Sequence, residues 1–161
     1  MDDERWALLE KRIAALEARV ADGADPRDDD AFWALRELKR QAEGRSHVLF
    51  TGSVTLPTGA HYEWQETVEV SSMLEADPTQ AVAALSALAH PVRLHLLHKV
   101  LHGRHTVTEL SEGLGTSGQL YHHLRQLVAE GWLTTSGRGR YDVPAERVVP
   151  LVTLLATVGL R

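Results

Sequence analysis

Residues 47–70 carry the sequence feature that most restricts the fold of this chain, a change of hydrophobic period. In HVLFTGSVTLPTGAHYEWQETVEV apolar and polar residues alternate, whereas on both sides the apolar residues recur every three or four positions. Alternation is typical of a half-buried strand, and the longer period is typical of an amphipathic helix. The central Pro-Thr-Gly step favours a turn, so we predict a β-hairpin flanked by helices. The expected class is mainly α with a small β part, an α+β fold.

Each strand of the predicted hairpin has one apolar face. That stripe consists of Val48, Phe50, Val54, Leu56, Tyr62, Trp64, Val68 and Val70. A lone hairpin is marginally stable in water, so the stripe must cover helices or hold a ligand. Core packing is favoured over a ligand, because aromatic and β-branched stripes are ordinary in strands.

The N-terminal segment predicts two helices. Residues 4–21 space their apolar side chains three and four positions apart, which is the narrow seam of a helix that packs on another helix. We expect the seam to pack on the next helix or to serve dimerisation. The seam consists of Trp6, Leu9, Ile13, Leu16 and Val20.

The second predicted helix follows the turn DGADP and has an apolar stripe of Phe32, Leu35 and Leu38. The acids Asp28–Asp30 suit the positive end of this helix. A cation site is the alternative, but the run lacks the glycine and the terminal glutamate of a calcium loop.

Composition excludes some classes of site and location. The chain has no cysteine, which excludes a disulfide framework, a thiolate metal site and a cysteine nucleophile. Its N-terminus, MDDERWALLEKRIAALEARV, lacks the apolar core of a signal peptide, and no later run is long enough for a membrane span. We expect a cytoplasmic protein that has no membrane partner.

The formal net charge of −5 is unevenly distributed. Residues 1–46 carry 12 acids and 9 bases, and residues 47–80 carry 5 acids and no base. Residues 81–161 carry 5 acids and 8 bases, together with seven of the nine histidines. An anionic partner is therefore expected at the C-terminal half.

The C-terminal half predicts a series of short helices and a second hairpin. Asp77 is placed to cap a helix that has Pro78 at its first position. Helices are predicted at about 78–89, 91–102, 107–114 and 117–130, a hairpin at 131–143, and a last helix at about 149–160 with Pro150 in its first turn.

The stretch TVTELSEGLGTSGQLYHHLRQLVAEGW places two leucine-lined helices on either side of a tight glycine turn. Thr116 is placed to cap the second of these helices, and the face opposite its leucines has no acid. Amide, hydroxyl and guanidinium groups read base edges, whereas phosphates repel carboxylates, so this face predicts a DNA contact. The predicted contacts are Thr116, Ser117, Gly118, Gln119, Tyr121, His122, His123 and Arg125.

The second hairpin has a flexible, doubly cationic tip, SGRGR. Behind a helix of recognition type, Arg138 and Arg140 are placed where a wing contacts phosphates or enters the minor groove. A plain surface hairpin is the alternative.

Residues 80–160 resemble the winged helix-turn-helix of the ArsR family of bacterial transcriptional regulators. The resemblance runs through Leu88, Pro91, Arg93, Leu94 and Leu97, the TVTEL of the first motif helix, and HHLRQLVAEGWL. It implies a homodimer, formed by the first and last helices, that represses by binding a palindromic operator. The last helix is apolar on nearly every face, which also indicates an interface. Its predicted dimerisation residues are Leu151, Leu154, Leu155 and Val158.

The chain departs from that family in its sensor sites. The family's cysteine metal motif is absent, and so is the histidine-carboxylate site of its last helix, so no cofactor is expected. We predict two domains, an N-terminal module of residues 1–75 and the winged helix of residues 76–161. The N-terminal module is expected to serve dimerisation or to receive an effector, either a small molecule or a protein.

Five histidines lie in HPVRLHLLHKVLHGRH, and His95, His98 and His102 share one side of a predicted helix. One interpretation of this stripe is a metal site, because two imidazoles one turn apart can bind a metal. A solvated helix face is favoured, because the leucines form the neighbouring stripe and the five histidines do not converge.

Two alternatives to a sequence-specific regulator stay open at this point. The winged helix could be a protein-interaction module, which the acidic N-terminal segments favour, or an architectural DNA binder with little sequence preference. An enzyme is not expected, because the chain has no nucleophile elbow, phosphate loop or paired catalytic acids in a plausible context.

Overall fold

A computed structural model describes residues 2–21, 31–113, 117–137 and 139–160, without the side chains of residues 2–4, 19–21 and 117. The chain forms two compact units, Met1–His47 and Val48–Arg161. The boundary between the two units lies at the start of the first hairpin, whereas we predicted a domain boundary after residue 75. Its physical reason is that apolar residues of this hairpin pack against the helices that follow it.

The first unit contains α1 (Asp2–Ala21) and α2 (Trp33–Gln41). The predicted first helix is confirmed, and its seam residues Trp6, Leu9, Ile13 and Leu16 are exposed. In α2, Arg40 donates hydrogen bonds to both carboxylate oxygens of Glu37, one turn earlier. The predictions for the side chain of Val20 and for Asp28–Asp30 lie outside what the structure describes.

The first hairpin pairs β1 (His47–Thr55) with β2 (His61–Glu69). Its turn is closed by hydrogen bonds from Gly59 N to Leu56 O and from Leu56 N to Ala60 O, both 2.9 Å long. The predicted core packing is confirmed, because Val54, Leu56 and Tyr62 contact the buried cluster of the second unit. Two details of the predicted stripe are wrong: Val48 is exposed, and Val70 begins a short helix.

The remaining elements belong to the second unit. They are α3 (Val70–Glu75), a 3-10 turn (Pro78–Ala81), α4 (Val82–Leu88), α5 (Pro91–Leu101), α6 (Val107–Ser111), α7 (Ser117–Ala129), β3 (Thr134–Thr135), β4 (Tyr141–Asp142) and α8 (Ala145–Thr157). The α+β class is confirmed.

Two of the predicted helices are shorter than expected. The single helix predicted at 78–89 divides into the 3-10 turn and α4, although its predicted cap is present, with Thr79 N donating to Asp77 Oδ1 at 2.9 Å. Helix α6 ends at Ser111, before a turn in which Gly113 has a φ of +75°. Glycine is the residue that adopts this left-handed conformation most readily, and it commonly follows a helix end.

The last helix begins four residues earlier than predicted, and Pro150 lies inside it instead of in its first turn. A proline at this position has no N–H to donate to the carbonyl of Glu146, so one helical hydrogen bond is missing. Val148, Val149 and Leu151 are buried on either side of the proline. Their packing stabilises the early turns in spite of that loss.

The core of the second unit is formed by the helices from α4 through α8 and by the inner face of the first hairpin. Its largest fully buried side chains are Leu96, Leu97, Leu110, Leu120, Leu124, Leu127, Leu133, Val148, Val149 and Leu151. Among the residues that the structure describes, no helix is both long enough and apolar enough to span a membrane.

Gly52 allows β1 to lie directly against α8. A Cβ atom at this position would be 2.7 Å from Cγ1 of Val149, which is itself buried. We expect Gly52→Val to lower the free energy of unfolding by about 2 kcal/mol, because the added methyl groups force the strand and helix apart. Urea denaturation measures this change. Ser53→Val, on the exposed face of the same strand, should change the stability by less than about 0.5 kcal/mol; equal stability of the two variants would contradict the close packing.

Candidate nucleic-acid interface

Helix α7 is divided lengthwise into a buried face and an outer face. Leu120, Leu124 and Leu127 are fully buried in the core. The outer face, by which we mean the exposed residues opposite these leucines, consists of Gly118, Gln119, Tyr121, His122 and Arg125. The structure therefore brings together on one exposed surface five of the residues predicted to contact DNA.

Three other predicted contacts cannot be placed on this surface. Thr116 and Arg138 lie outside the described residues, and of Ser117 only the backbone, at the start of α7, is described. The predicted cap of α7 by Thr116 lies outside the described residues for the same reason.

The β3–β4 hairpin is anchored beside the beginning of α6. Thr134 pairs with Asp142 and Thr135 with Tyr141, and Thr106 forms a further bridge to Arg140. Val107 N donates to Gly139 O at 3.1 Å, and Tyr141 N donates to His105 O at 2.9 Å. Arg140 itself is exposed. Its position is therefore set by backbone hydrogen bonds to the segment that leads into α6.

A capping box that our sequence reasoning missed begins α6. The Thr106 hydroxyl accepts from Glu109 N, while Glu109 Oε2 accepts from Thr106 N at 2.8 Å. These backbone and side-chain hydrogen bonds from Thr106 lower the pKa of Glu109 to about 2. The spacing Thr106-Val107-Thr108-Glu109 is the usual signature of this motif, so the signal was present in the sequence.

Lys99 stabilises the other end of α6. Its Nζ donates to the carbonyl oxygens of Leu110 at 3.3 Å and Glu112 at 2.5 Å. A cation is favourable at a helix C-terminus, where carbonyl groups lack helical partners. With both ends capped, a helix of five residues keeps a defined position before α7.

Arg93 links α7 to the end of α4 from inside the molecule. Its side chain is only 9% exposed. Its guanidinium donates to the carbonyl oxygens of Ala87 and Ser86 and to Oε1 of Gln126 in α7, at 2.5–2.6 Å. Arg93 therefore fixes α7 to the end of α4 through the side chain of Gln126.

Two acids that flank α7 in the sequence, Glu112 and Asp142, are engaged by neighbouring groups. Glu112 forms an ion pair with Arg104, and Asp142 lies 2.7 Å from Nδ1 of His105. Within the described chain no carboxylate forms an ion pair with Arg125 or Arg140, both of which are exposed. The surface formed by α7 and the β3–β4 hairpin therefore offers cations and hydrogen-bonding groups to an anionic polymer.

Comparison with known proteins adds nothing to this geometry: no protein-family model matches the chain, and no curated protein is significantly similar to it.

His123 lies off the outer face of α7, unlike the exposed DNA contact that the sequence predicted. It is half-buried, and its ring centroid is 4.6 Å from that of His90 and 5.7 Å from that of His122. Its Nδ1 is buried without a hydrogen bond to any described residue. Burial and the nearby His90, Arg93 and His122 lower the pKa of His123.

The lowered pKa of His123 makes folding sensitive to acid. The unfolded chain takes up the proton first, so stability is retained above about pH 6.5 and is lost as the pH falls below it. For one titrating group the free energy of unfolding falls by at most about 1.4 kcal/mol per pH unit. We expect His123→Gln to lose less stability than the wild type between pH 7.5 and 5.5, measured by urea denaturation. Unchanged acid sensitivity in this variant would contradict the buried position of the ring.

The histidine stripe of α5 is exposed, as predicted. The rings of His98 and His102 lie 4.1 Å apart, and Nδ1 of His102 is 2.8 Å from the carbonyl oxygen of His98. Burial, then His102 and His95, lower the pKa of His98. In the described ranges no three His, Cys, Asp or Glu side chains are grouped so that they could hold a metal ion.

The predicted dimerisation residues of α8 fall into two groups. Leu151 has no exposed surface and Leu154 and Leu155 are half-buried against the core, whereas Val158 is 72% exposed. The prediction is therefore wrong for Leu151, which packs within its own chain. The exposed apolar side chains of the unit include Val82 and Leu85 of α4 and Val158 and Leu160 near the end of α8.

Proposed function

We propose that this protein is a sequence-specific DNA-binding regulator of transcription. The observation that carries the proposal is the outer face of α7, where an amide, a phenol, an imidazole and a guanidinium are exposed on a helix without an acid. These groups donate to and accept from base edges in the major groove. The glycine at position 118 lets the DNA backbone approach closely.

In this proposal α6 and α7 form a helix-turn-helix and β3–β4 forms its wing. The capping box and Lys99 hold α6, Arg93 holds α7, and the bridge from Thr106 to Arg140 holds the wing. Rigid support matters because base contacts depend on the exact placement of a few side chains. Arg140 is then available for a phosphate or for the minor groove.

The proposed regulator is a homodimer and a repressor that binds a palindromic operator in the cytoplasm. Four exposed apolar residues at α4 and the end of α8, Val82, Leu85, Val158 and Leu160, support a second protomer, because burying them removes apolar surface from water. A two-fold dimer presents two copies of α7, which match two half-sites about one helical turn apart.

The test measures binding to the protein's own upstream region and to random DNA of equal length over a series of salt concentrations. We expect a steep salt dependence and an affinity for the upstream DNA at least about 1,000-fold above that for random DNA, with two chains per operator. A steep dependence without that excess would identify an architectural binder.

A protein-interaction module is the second candidate function. Residues 47–80 carry five acids and no base, and such a segment would be repelled by DNA if it lay near the duplex. The absence of any DNA binding in the same measurement would support this candidate and contradict the regulator.

A further inference from the structure

A small, partly open cavity lies in the second unit, and no residue of α7 lines it. It has a volume of about 230 Å³ and is bounded by the turn of the first hairpin, the end of α5 and strand β4. Leu56, Ala60, Val100 and Val148 contribute an apolar wall. Tyr62, His105 and Asp142 contribute polar groups. An apolar wall with a few polar side chains is the usual composition of a small-molecule site.

The hydrogen bonds of His105 determine what its ring can offer to a molecule in this cavity. Nδ1 lies 2.7 Å from Asp142 Oδ1 and 3.1 Å from the carbonyl oxygen of Tyr141. Because both neighbours are acceptors, the hydrogen of the neutral ring is on Nδ1. Nε2 is then an acceptor, and a molecule that binds to it must donate a hydrogen bond.

Asp142 is engaged within the protein. His105 holds its Oδ1, and the hydroxyl of Ser136 donates to its Oδ2. A cationic molecule would therefore compete with two existing partners, and an anionic one would be repelled by the carboxylate. The polar side of the cavity favours an uncharged molecule that has a hydroxyl group.

Volume limits the size of that molecule. The cavity has the space of about eight water molecules in the liquid. A single six-membered ring with one or two small substituents fits within such a space.

We propose that this cavity binds a small uncharged hydroxylated ring compound of the phenol class, whose ring contacts the apolar wall and whose hydroxyl donates to Nε2 of His105. None of the proposed DNA contacts and none of the histidines of the stripe lines this cavity.

The surroundings of the cavity connect it to the wing. A Cβ atom at Gly103 would be 2.8 Å from Cγ2 of Thr58, so the hairpin turn packs tightly on the loop that follows α5. That loop continues through His105 to Thr106, which bridges to Arg140. A bound molecule would therefore act on the segment that positions Arg140, and this coupling, unlike the binding itself, rests on the proposed function.

Calorimetric titration of the full chain with phenol tests the site directly. We expect one phenol per chain, and at least tenfold weaker binding of toluene, which has the same ring without a hydroxyl, and of benzoate, which is charged. Equal binding of phenol and toluene would overturn the assigned role of His105, and no binding of phenol would overturn the proposal.

Variants locate the site. Ala60→Leu fills the cavity and should weaken phenol binding at least tenfold, whereas Ala76→Leu makes the same change at an exposed position and should leave it unchanged. His105→Gln should weaken phenol binding at least tenfold without filling the cavity, which keeps the test valid if Ala60→Leu does not fold. Wild-type affinity in both variants would overturn the location.

Measurement of DNA binding with and without phenol distinguishes a failure of the cavity site from a failure of the proposed function. A shift of at least threefold in affinity for the upstream DNA at saturating phenol supports the coupling, and an unchanged affinity overturns the coupling alone. If phenol binds and the chain binds no DNA, the proposed function fails and the site stands.

Discussion

We expect the Arg93→Met variant to have a free energy of unfolding about 3 kcal/mol below that of the wild type. Methionine keeps an unbranched apolar stem like that of arginine, but it cannot donate to the carbonyl oxygens of Ser86 and Ala87 or to Gln126. Each buried acceptor left without a donor costs about 1–3 kcal/mol. Because the three bonds converge on one residue, a single substitution removes them together.

Urea denaturation followed by circular dichroism measures the loss. Arg147→Met is the matched control, since Arg147 is exposed and its guanidinium carbon lies 5.1 Å from the centre of the Trp132 ring. Loss of that contact should cost about 1 kcal/mol or less. Similar losses in the two variants would show that Arg93 does not connect α4 to α7 in the folded protein.

We expect the Gln119→Ala variant to lose about 1–3 kcal/mol of binding to the operator and almost nothing with random DNA. Gln119 is exposed on the outer face of α7, where its amide can both donate to and accept from one base. Removal of a base contact lowers specific binding alone, because random DNA is bound through its phosphates. Fluorescence anisotropy with both DNAs measures the difference.

The double variant Arg138→Gln, Arg140→Gln should behave in the opposite way. Loss of two phosphate contacts weakens binding to operator and random DNA alike. It also reduces the steepness of the plot of log affinity against log salt concentration by about two. Arg147→Gln removes one positive charge beside Gly131, beyond the C-terminal end of α7, and should leave both affinities within about twofold. If all these variants bind as the wild type does, α7 and the β3–β4 hairpin do not form the DNA interface.

Short-range patterns predicted most of the elements. The hairpin at 47–70, the helix after His90 and the helix of residues 117–129 each followed from hydrophobic period, turn residues and caps within one segment. The leucines expected to be buried in α7 are buried. Period and capping act over a few residues, so a single segment contains the whole signal.

The errors share a different origin. Proline chemistry favoured a later start for α8, but the buried Val148 and Val149 hold the earlier turn. His123 was predicted to be an exposed DNA contact, yet its ring contacts that of His90, thirty-three positions away. The division into units also depends on which helices the first hairpin covers. Each outcome was decided by a partner distant in the sequence.

The sequence by itself determined the order of helices and hairpins, the α+β class and the acid-free outer face of α7. Only the tertiary structure decided that Arg93 joins α4 to α7, that His105 and Asp142 meet beside a cavity, and that Leu151 packs within its own chain. The physical reason is that periodicity says which side of an element is apolar, whereas burial and hydrogen-bond partners depend on what packs against that side.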